Sequence, residues 1–288
     1  MLNHKDSRNV DAHAHIFNPA FPLSPARSYT PGRALLGEYG NAAAGWNAGR
    51  VVLVQPSPYG SDNSVLLSSL RELGPAKARG IAVISGQSSD GELDELGAAG
   101  VVGVRLNRQA DPRGGYEPLV ETLGNLIQRV AGREWIVQLY SDPESLAACQ
   151  DVLAASTVPI LLDHYAGLRA GAEGFINTTQ MVLDLVKNPN VWVKLSGPYR
   201  ACQPAVDHSA LAGITRKLSE AIPDRLVWGS DWPYTGGGKD RANRSVNDVE
   251  PFRNFDAANY LQQVTEWVGD RERMEKLLIH NPTALFGF

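Results

Sequence analysis

Residues 10–15, Val-Asp-Ala-His-Ala-His, form a short apolar run that closes on polar side chains. Seven more runs of this kind follow, at 50–55, 80–84, 101–106, 135–140, 158–164, 191–195 and 225–230. Their starts lie roughly 20 to 40 residues apart, room for a strand, a helix and two loops at each step. The segments between them carry helical patterns. Leu119, Val120, Leu123, Leu126, Ile127 and Val130 fall on one face at helical period. Ser141 or Asp142 can cap the next helix, with Pro143 at its first position and Leu146, Cys149 and Leu153 as its inner stripe. Asn188-Pro189-Asn190 is a stop signal before the seventh run. Strands that alternate with helices pair in parallel, and several of these are nearly all apolar, as strands buried on both faces must be. Eight such units in 288 residues predict an α/β fold, a (β/α)8 TIM barrel, as one domain spanning 1–288. The rival, a doubly wound sheet, usually has fewer strands. Two stretches, 19–32 and 235–256, read as long loops.

Composition narrows the function classes. Lys and Arg number 27 against 31 Asp and Glu, a net charge of −4, so the basic footprint of a nucleic-acid binder is missing. The longest apolar runs fall far short of the ~20 residues that span a bilayer, so no membrane partner is expected. The first residues turn polar where a secretion signal needs an apolar stretch. Two cysteines, Cys149 and Cys202, build no disulfide framework and suit a reducing, cytoplasmic setting.

In such a barrel the chemistry sits at the carboxyl ends of the strands. The polar residues closing the runs are Asp11, His13 and His15; Gln55 and Ser57; Arg105 and Asn107; Gln138 and Tyr140; Asp163 and His164; Ser196, Tyr199 and Arg200; and Ser230 and Asp231. Three of the six histidines therefore fall on one rim. His13 and His15 lie on the same side of a strand, a geometry that suits a shared metal, two donors aimed at one oxyanion, or a hydrogen-bonded core pair. Arg105 is costly to bury alone and must face a carboxylate, internal or on a substrate. Arg200 reads equally as ion-pair partner or substrate ligand. Asp231, after an apolar strand, is expected to be partly desolvated. Lys194 is expected to pair within the barrel wall. His4, His208 and His280 read as solvated or capping, Cys149 as inert, and Cys202 as a thiol without a base. Gly236-Gly237-Gly238-Lys239 lacks the spacing of a phosphate-binding loop and reads as a mobile lid.

Taken together, VDAHAHIF, VLVQPSPYGSDN, GVRLN, LLDHYAG, VWVKLSGPYR, RLVWGSDWP and the terminal NPTALFGF resemble the amidohydrolase superfamily, in its amidohydrolase-related branch. Within that branch the VQPS…YGSDN and KLSG-x-YR pieces are most similar to the 2-pyrone-4,6-dicarboxylate lactonases. The resemblance implies a (β/α)8 barrel and hydrolysis of a small anionic, carboxylated lactone. The superfamily's metal sites take HxH from the first strand, a carboxylate or modified lysine from the fourth, His from the fifth and sixth, and Asp from the eighth. His13, His15, His164 and Asp231 are kept here, whereas the fourth strand carries Arg105 and the fifth Gln138. A cation in that position repels a metal ion, so no cofactor is expected, in keeping with the metal-free lactonase branch. A single Zn2+ on His13, His15, His164 and Asp231 is the chemical alternative.

On this reading Asp231 is the general base that activates water. His13, His15 and His164 supply positive charge or donors to the oxyanion. Arg105 and Arg200 hold substrate carboxylates, and Ser57 and Tyr199 are secondary donors. A mononuclear-metal hydrolase or decarboxylase, and a sugar-acid lactone isomerase, are the alternatives on the same barrel. A barrel that binds a small acid without turning it over is the non-enzymatic one.

Overall fold

The computed structural model describes residues 7–109, 118–203, 206–238 and 243–288. His4 and Lys239, both singled out above, lie outside the described residues. Eight parallel strands form one sheet in chain order: β1 (Val10–Ala14), β2 (Arg50–Val54), β3 (Ala78–Ala82), β4 (Val101–Asn107), β5 (Ile136–Tyr140), β6 (Ile160–Leu162), β7 (Val191–Leu195) and β8 (Leu226–Trp228). Beyond β8 the barrel closes through backbone bonds from Asp231 to His13 (2.9 Å) and from His15 to Trp232 (2.8 Å). The closure depends on Gly229, because a Cβ there would lie 2.6 Å from the Cβ of His13.

The expected order of elements is the observed one, and the boundaries moved for local reasons. The third strand sits two residues earlier than the sequence suggested, its Ala78 paired with Val51. Regular pairing in β6 is confined to three residues. Pro159 lacks an N–H before it, and after it His164, Tyr165 and Ala166 all take left-handed backbone angles. The helix Leu119–Val130 buries Leu123, Ile127 and Val130 of its expected apolar face, whereas Val120 in its first turn is exposed. Asp142, not Ser141, caps the next helix by accepting from Ser145 N (2.8 Å), with Pro143 at its first turn.

Most of the core lies between the sheet and the surrounding helices. A second apolar cluster fills the lower barrel, with Val10, Ala12, Val52, Ile81, Ile136, Leu161 and Val227. The two long loops clasp each other: Thr30–Pro31 pairs in parallel with Val249–Glu250, and Arg27 donates to Asn247 Oδ1 (2.8 Å). In the glycine run, Gly237 N–H donates to the Pro251 carbonyl (3.1 Å). No helix among the described residues is long and apolar enough to cross a membrane.

Candidate active site

Above the apolar floor the barrel interior turns polar. A register irregularity in β1 between Asp11 and Ala14 breaks strict alternation. Asp11 accepts from Tyr39 Oη (3.1 Å) and from the backbone N–H of Ser230 (2.8 Å), tying the outer wall to the seam. His13 and His15 instead reach the interior, with their Nε2 atoms 3.2 Å apart. The left-handed run starting at His164 lets two successive side chains, Asp163 and His164, also enter the barrel. Such angles cost about 1–3 kcal/mol per residue and persist where packing over-determines them.

Asp163, named above only as a strand-end residue, is the hub of this layer. Its Oδ2 accepts from Arg105 Nε (3.2 Å), Arg105 Nη2 (3.1 Å) and Gln138 Nε2 (2.9 Å). Lys194 Nζ lies 3.1 Å from its Oδ1 and donates to Gln138 Oε1 (2.9 Å) and His13 Nδ1 (3.0 Å). Lys194 is fully buried. Burial lowers its pKa to about 8, against the pull of Asp163. Lys194 and Arg105, with His13, outweigh burial to hold the Asp163 carboxyl well below the ordinary range. Arg105 thus does face an internal carboxylate. Lys194 pairs as expected, but beneath the site rather than within the wall. The sequence held a signal for this hub: an aspartate and a lysine, each in an apolar strand, need one another.

The upper layer surrounds a small cleft lined by His15, Ser57, Arg105, Tyr140, His164, Arg200 and others. Asp231 lies directly under it, 1% exposed and itself in the left-handed region. Its Oδ2 accepts from Tyr199 Oη (2.7 Å) and Arg200 Nε (2.7 Å). Its buried Oδ1 has no hydrogen-bond partner and stands 3.5 Å from His13 Nε2 and 3.9 Å from His15 Nε2. Burial pushes the Asp231 carboxyl up, but Arg200 first, then the three imidazoles, bring it far below the carboxylate range. Gly197 permits this packing, since a Cβ there would meet Asp231 Oδ2 at 2.9 Å and His164 Nδ1 at 3.0 Å.

The imidazoles stay neutral at pH 7. Burial lowers His15 to about 4 and His164 to about 3, and drives His13 well down, with Lys194 adding to it. Of the two options the sequence left, charge or neutral donors, burial removes the charge. The positive groups are Arg105, Arg200 and Lys194. Two further assignments change. His13 lies beneath the cleft, not on it. Tyr199 spends its hydroxyl on Asp231 and so orients that carboxylate; Ser57 does line the cleft. Tyr140, absent from the expected ligands, stacks edge-on against His164 with ring centroids 4.7 Å apart. Cys202 is buried, its thiol pushed up to about 11 by burial and then by Asp207. His208 packs against Phe255, and Asp207 caps that turn instead; His280 is exposed.

Among the described residues two groups could hold a metal by spacing: His13, His15 and Asp231; and His13, Asp163 and His164. In the first, the 3.2–3.9 Å separations are close to the roughly 3.4 Å edge of a tetrahedron with Zn–N near 2.0–2.1 Å. The hydrogen bonds are ordered against an ion. An ammonium only donates, so Lys194 makes His13 Nδ1 an acceptor and places the ring proton on Nε2. That proton points at His15 Nε2, which is free to accept because His15 Nδ1 donates to the Val54 carbonyl (2.8 Å). His13 then has no lone pair for a metal at Nε2. In the second group Lys194 Nζ itself stands between His13 and Asp163. The residues as arranged do not fit the ion.

A (β/α)8 barrel that gathers an HxH pair from its first strand, a histidine after its sixth and an aspartate after its eighth has the architecture of amidohydrolase-type enzymes. The chain belongs to the amidohydrolase family, whose model matches residues 10–288. It is 30% identical to a 4-sulfomuconolactone hydrolase of Rhizobium radiobacter, covering 96% of this chain and 89% of that one. It is likewise 30% identical to a 2-pyrone-4,6-dicarboxylate hydrolase of Comamonas testosteroni, over 96% and 89%. A D-galactarolactone isomerase of Agrobacterium fabrum is 26% identical, over 96% and 90%.

Proposed function

We propose that this protein hydrolyses a lactone bearing carboxylate or comparable anionic groups, with Asp231 as general base and without a metal ion. The observation that carries the reading is a cleft with Arg105 and Arg200 at its floor, directly above a carboxylate whose Oδ1 is unpartnered. The relatives' named substrates, a sulfonated lactone and a pyrone dicarboxylate among them, are anionic cyclic esters and support it.

The steps follow from the donors and acceptors present. Asp231 Oδ1 takes a proton from water as the water oxygen attacks the lactone carbonyl carbon. Tyr199 and Arg200 hold Oδ2, so only Oδ1 is available as the base. Neutral His164, whose Nδ1 is bonded to Ser196 Oγ (2.9 Å), and Arg105 line the cleft and are assigned to the oxyanion. Collapse breaks the acyl C–O ring bond, and the Asp231 proton passes to the departing oxygen, regenerating the carboxylate. A base this acidic transfers protons with little driving force. A substrate carboxylate that draws on Arg200 would raise the basicity of Asp231 when substrate is bound.

Hydrolysis of a panel of carboxylated lactones, followed as one equivalent of acid released per turnover and insensitive to chelator, is the expected result. Turnover with no acid released would replace this reading by isomerisation, which the galactarolactone isomerase likeness favours. Activity lost to chelator and restored by Zn2+ or Mn2+ would replace it by the metal-dependent reading. Arg105→Met should raise KM about tenfold or more for dianionic lactones, and far less for neutral ones. Equal effects on both would take Arg105 out of anion binding.

A further inference from the structure

We propose that Lys194 is the positioning residue that makes this barrel metal-free: its ammonium stands where an ion's charge would, and fixes His13 in the tautomer that cannot ligate. This extends the metal-free reading of the function, and is tested without turnover.

The argument is one of counting charges, donors and lone pairs. The polar layer holds one buried carboxylate, Asp163, two buried cations, Arg105 and Lys194, and the amide of Gln138. Arg105 and Gln138 fill Asp163 Oδ2. Lys194 Nζ takes the remaining side, 3.1 Å from Oδ1, and its other two near neighbours are the acceptors Gln138 Oε1 and His13 Nδ1. The ammonium therefore makes two hydrogen bonds and one ion-pair contact, each to an acceptor within 3.1 Å. The cost of burying this cation is offset by those contacts, whereas a divalent ion added beside it would raise a net charge that already stands at +1 in the layer, one carboxylate against two cations.

The second consequence runs along the hydrogen bonds. Lys194 donates to His13 Nδ1; His13 Nε2–H donates to His15 Nε2; His15 Nδ1–H donates to the Val54 carbonyl. Each ring accepts on one nitrogen and donates from the other: Lys194 sets the tautomer of His13, and the Val54 carbonyl sets that of His15. Without the ammonium, His13 can carry its proton on Nδ1 toward Asp163 Oδ1, 3.6 Å away. A histidine that gives its Nδ1–H to a carboxylate is the usual arrangement of a metal-ligating imidazole. His13 Nε2, His15 Nε2 and Asp231 Oδ1 would then face one another as lone pairs.

The chain itself supplies the first test. Nitrogen-15 NMR of histidine-labelled wild-type protein should show His13 neutral with its proton on Nε2; a proton on Nδ1 overturns the proposal, with no variant required. The second test is metal uptake by Lys194→Met and Lys194→Gln, the glutamine retaining a donor toward Asp163. Loaded with Co2+ and desalted, the wild type should retain less than about 0.1 equivalent. A folded variant should retain about one, with the visible absorption of low-symmetry Co2+. Stoichiometric cobalt in the wild type, or none in both variants with circular dichroism and melting intact, sinks the idea. Failure to turn over lactones would overturn the function proposed above and leave these two readouts standing.

Discussion

Asp231→Asn is expected to lower kcat by at least ~10²-fold, with the fold retained and the melting temperature lowered. Asparagine is nearly isosteric, and the surroundings dictate how it sits. Two donors, Tyr199 Oη and Arg200 Nε, face the Oδ2 position and require an oxygen there. The amide nitrogen must then occupy the Oδ1 position, facing His13 and His15. His15 Nε2, 3.9 Å from that position, already accepts from His13 Nε2–H, so the new NH2 group faces the His13 donor without an acceptor, and the swap costs stability as well as the base. What disappears is the lone pair that would receive a proton from water. KM should change less than kcat, because the Arg105 side of the cleft is untouched. The measurement is steady-state kinetics on the best lactone of the panel, with circular dichroism as the folding control. Turnover within a few-fold of the parent would remove Asp231 from the role of base.

The barrel was legible because it follows from repetition: eight apolar runs, eight helical patterns and short connections leave few topologies. The rim was legible for a related reason, since strands of one sense deliver all their carboxyl ends to one side. Depth was not. His13 lies two residues, about 6–7 Å, below His15 on the strand, and only the height of the packed floor decides that His15 lines the cleft while His13 lies under it. Partners were not legible either. Arg105 could be seen to need a carboxylate, but that Asp163 supplies it, 58 positions on, is a property of closure. Tyr199 shows the same limit from the other side. Its place one residue before Arg200 suggested a substrate donor, but the turn at Gly197 folds its hydroxyl onto Asp231.

Moving from pH 7 to pH 5 should destabilise the fold by about 2 kcal/mol for each buried imidazole, read as a shift of the urea midpoint. The sign follows from where the protons go. In the unfolded chain a histidine binds its proton as pH falls through about 6.5. In the fold, His15 stays neutral to about 4 and His164 to about 3, chiefly because burial penalises the imidazolium. Between those limits the unfolded state holds more protons, so stability is complete above pH 6.5 and drains away on acidification. His13, lowered by burial and by Lys194, adds in the same direction. Asp163 and Asp231 add almost nothing in this window: both are depressed, and their contribution is lost only as pH falls below the ordinary carboxylate value near 3.9. The buried Lys194 ammonium is also silent here, since its pKa near 8 lies above both conditions. His164→Asn should therefore reduce the pH 7-to-5 loss by about 2 kcal/mol, whatever it does to absolute stability. A urea midpoint that is the same at both pH values would mean that these rings titrate in the fold as they do in the unfolded chain, and one that rises on acidification would mean that they are charged in the fold, with the oxyanion facing imidazolium rather than neutral imidazole.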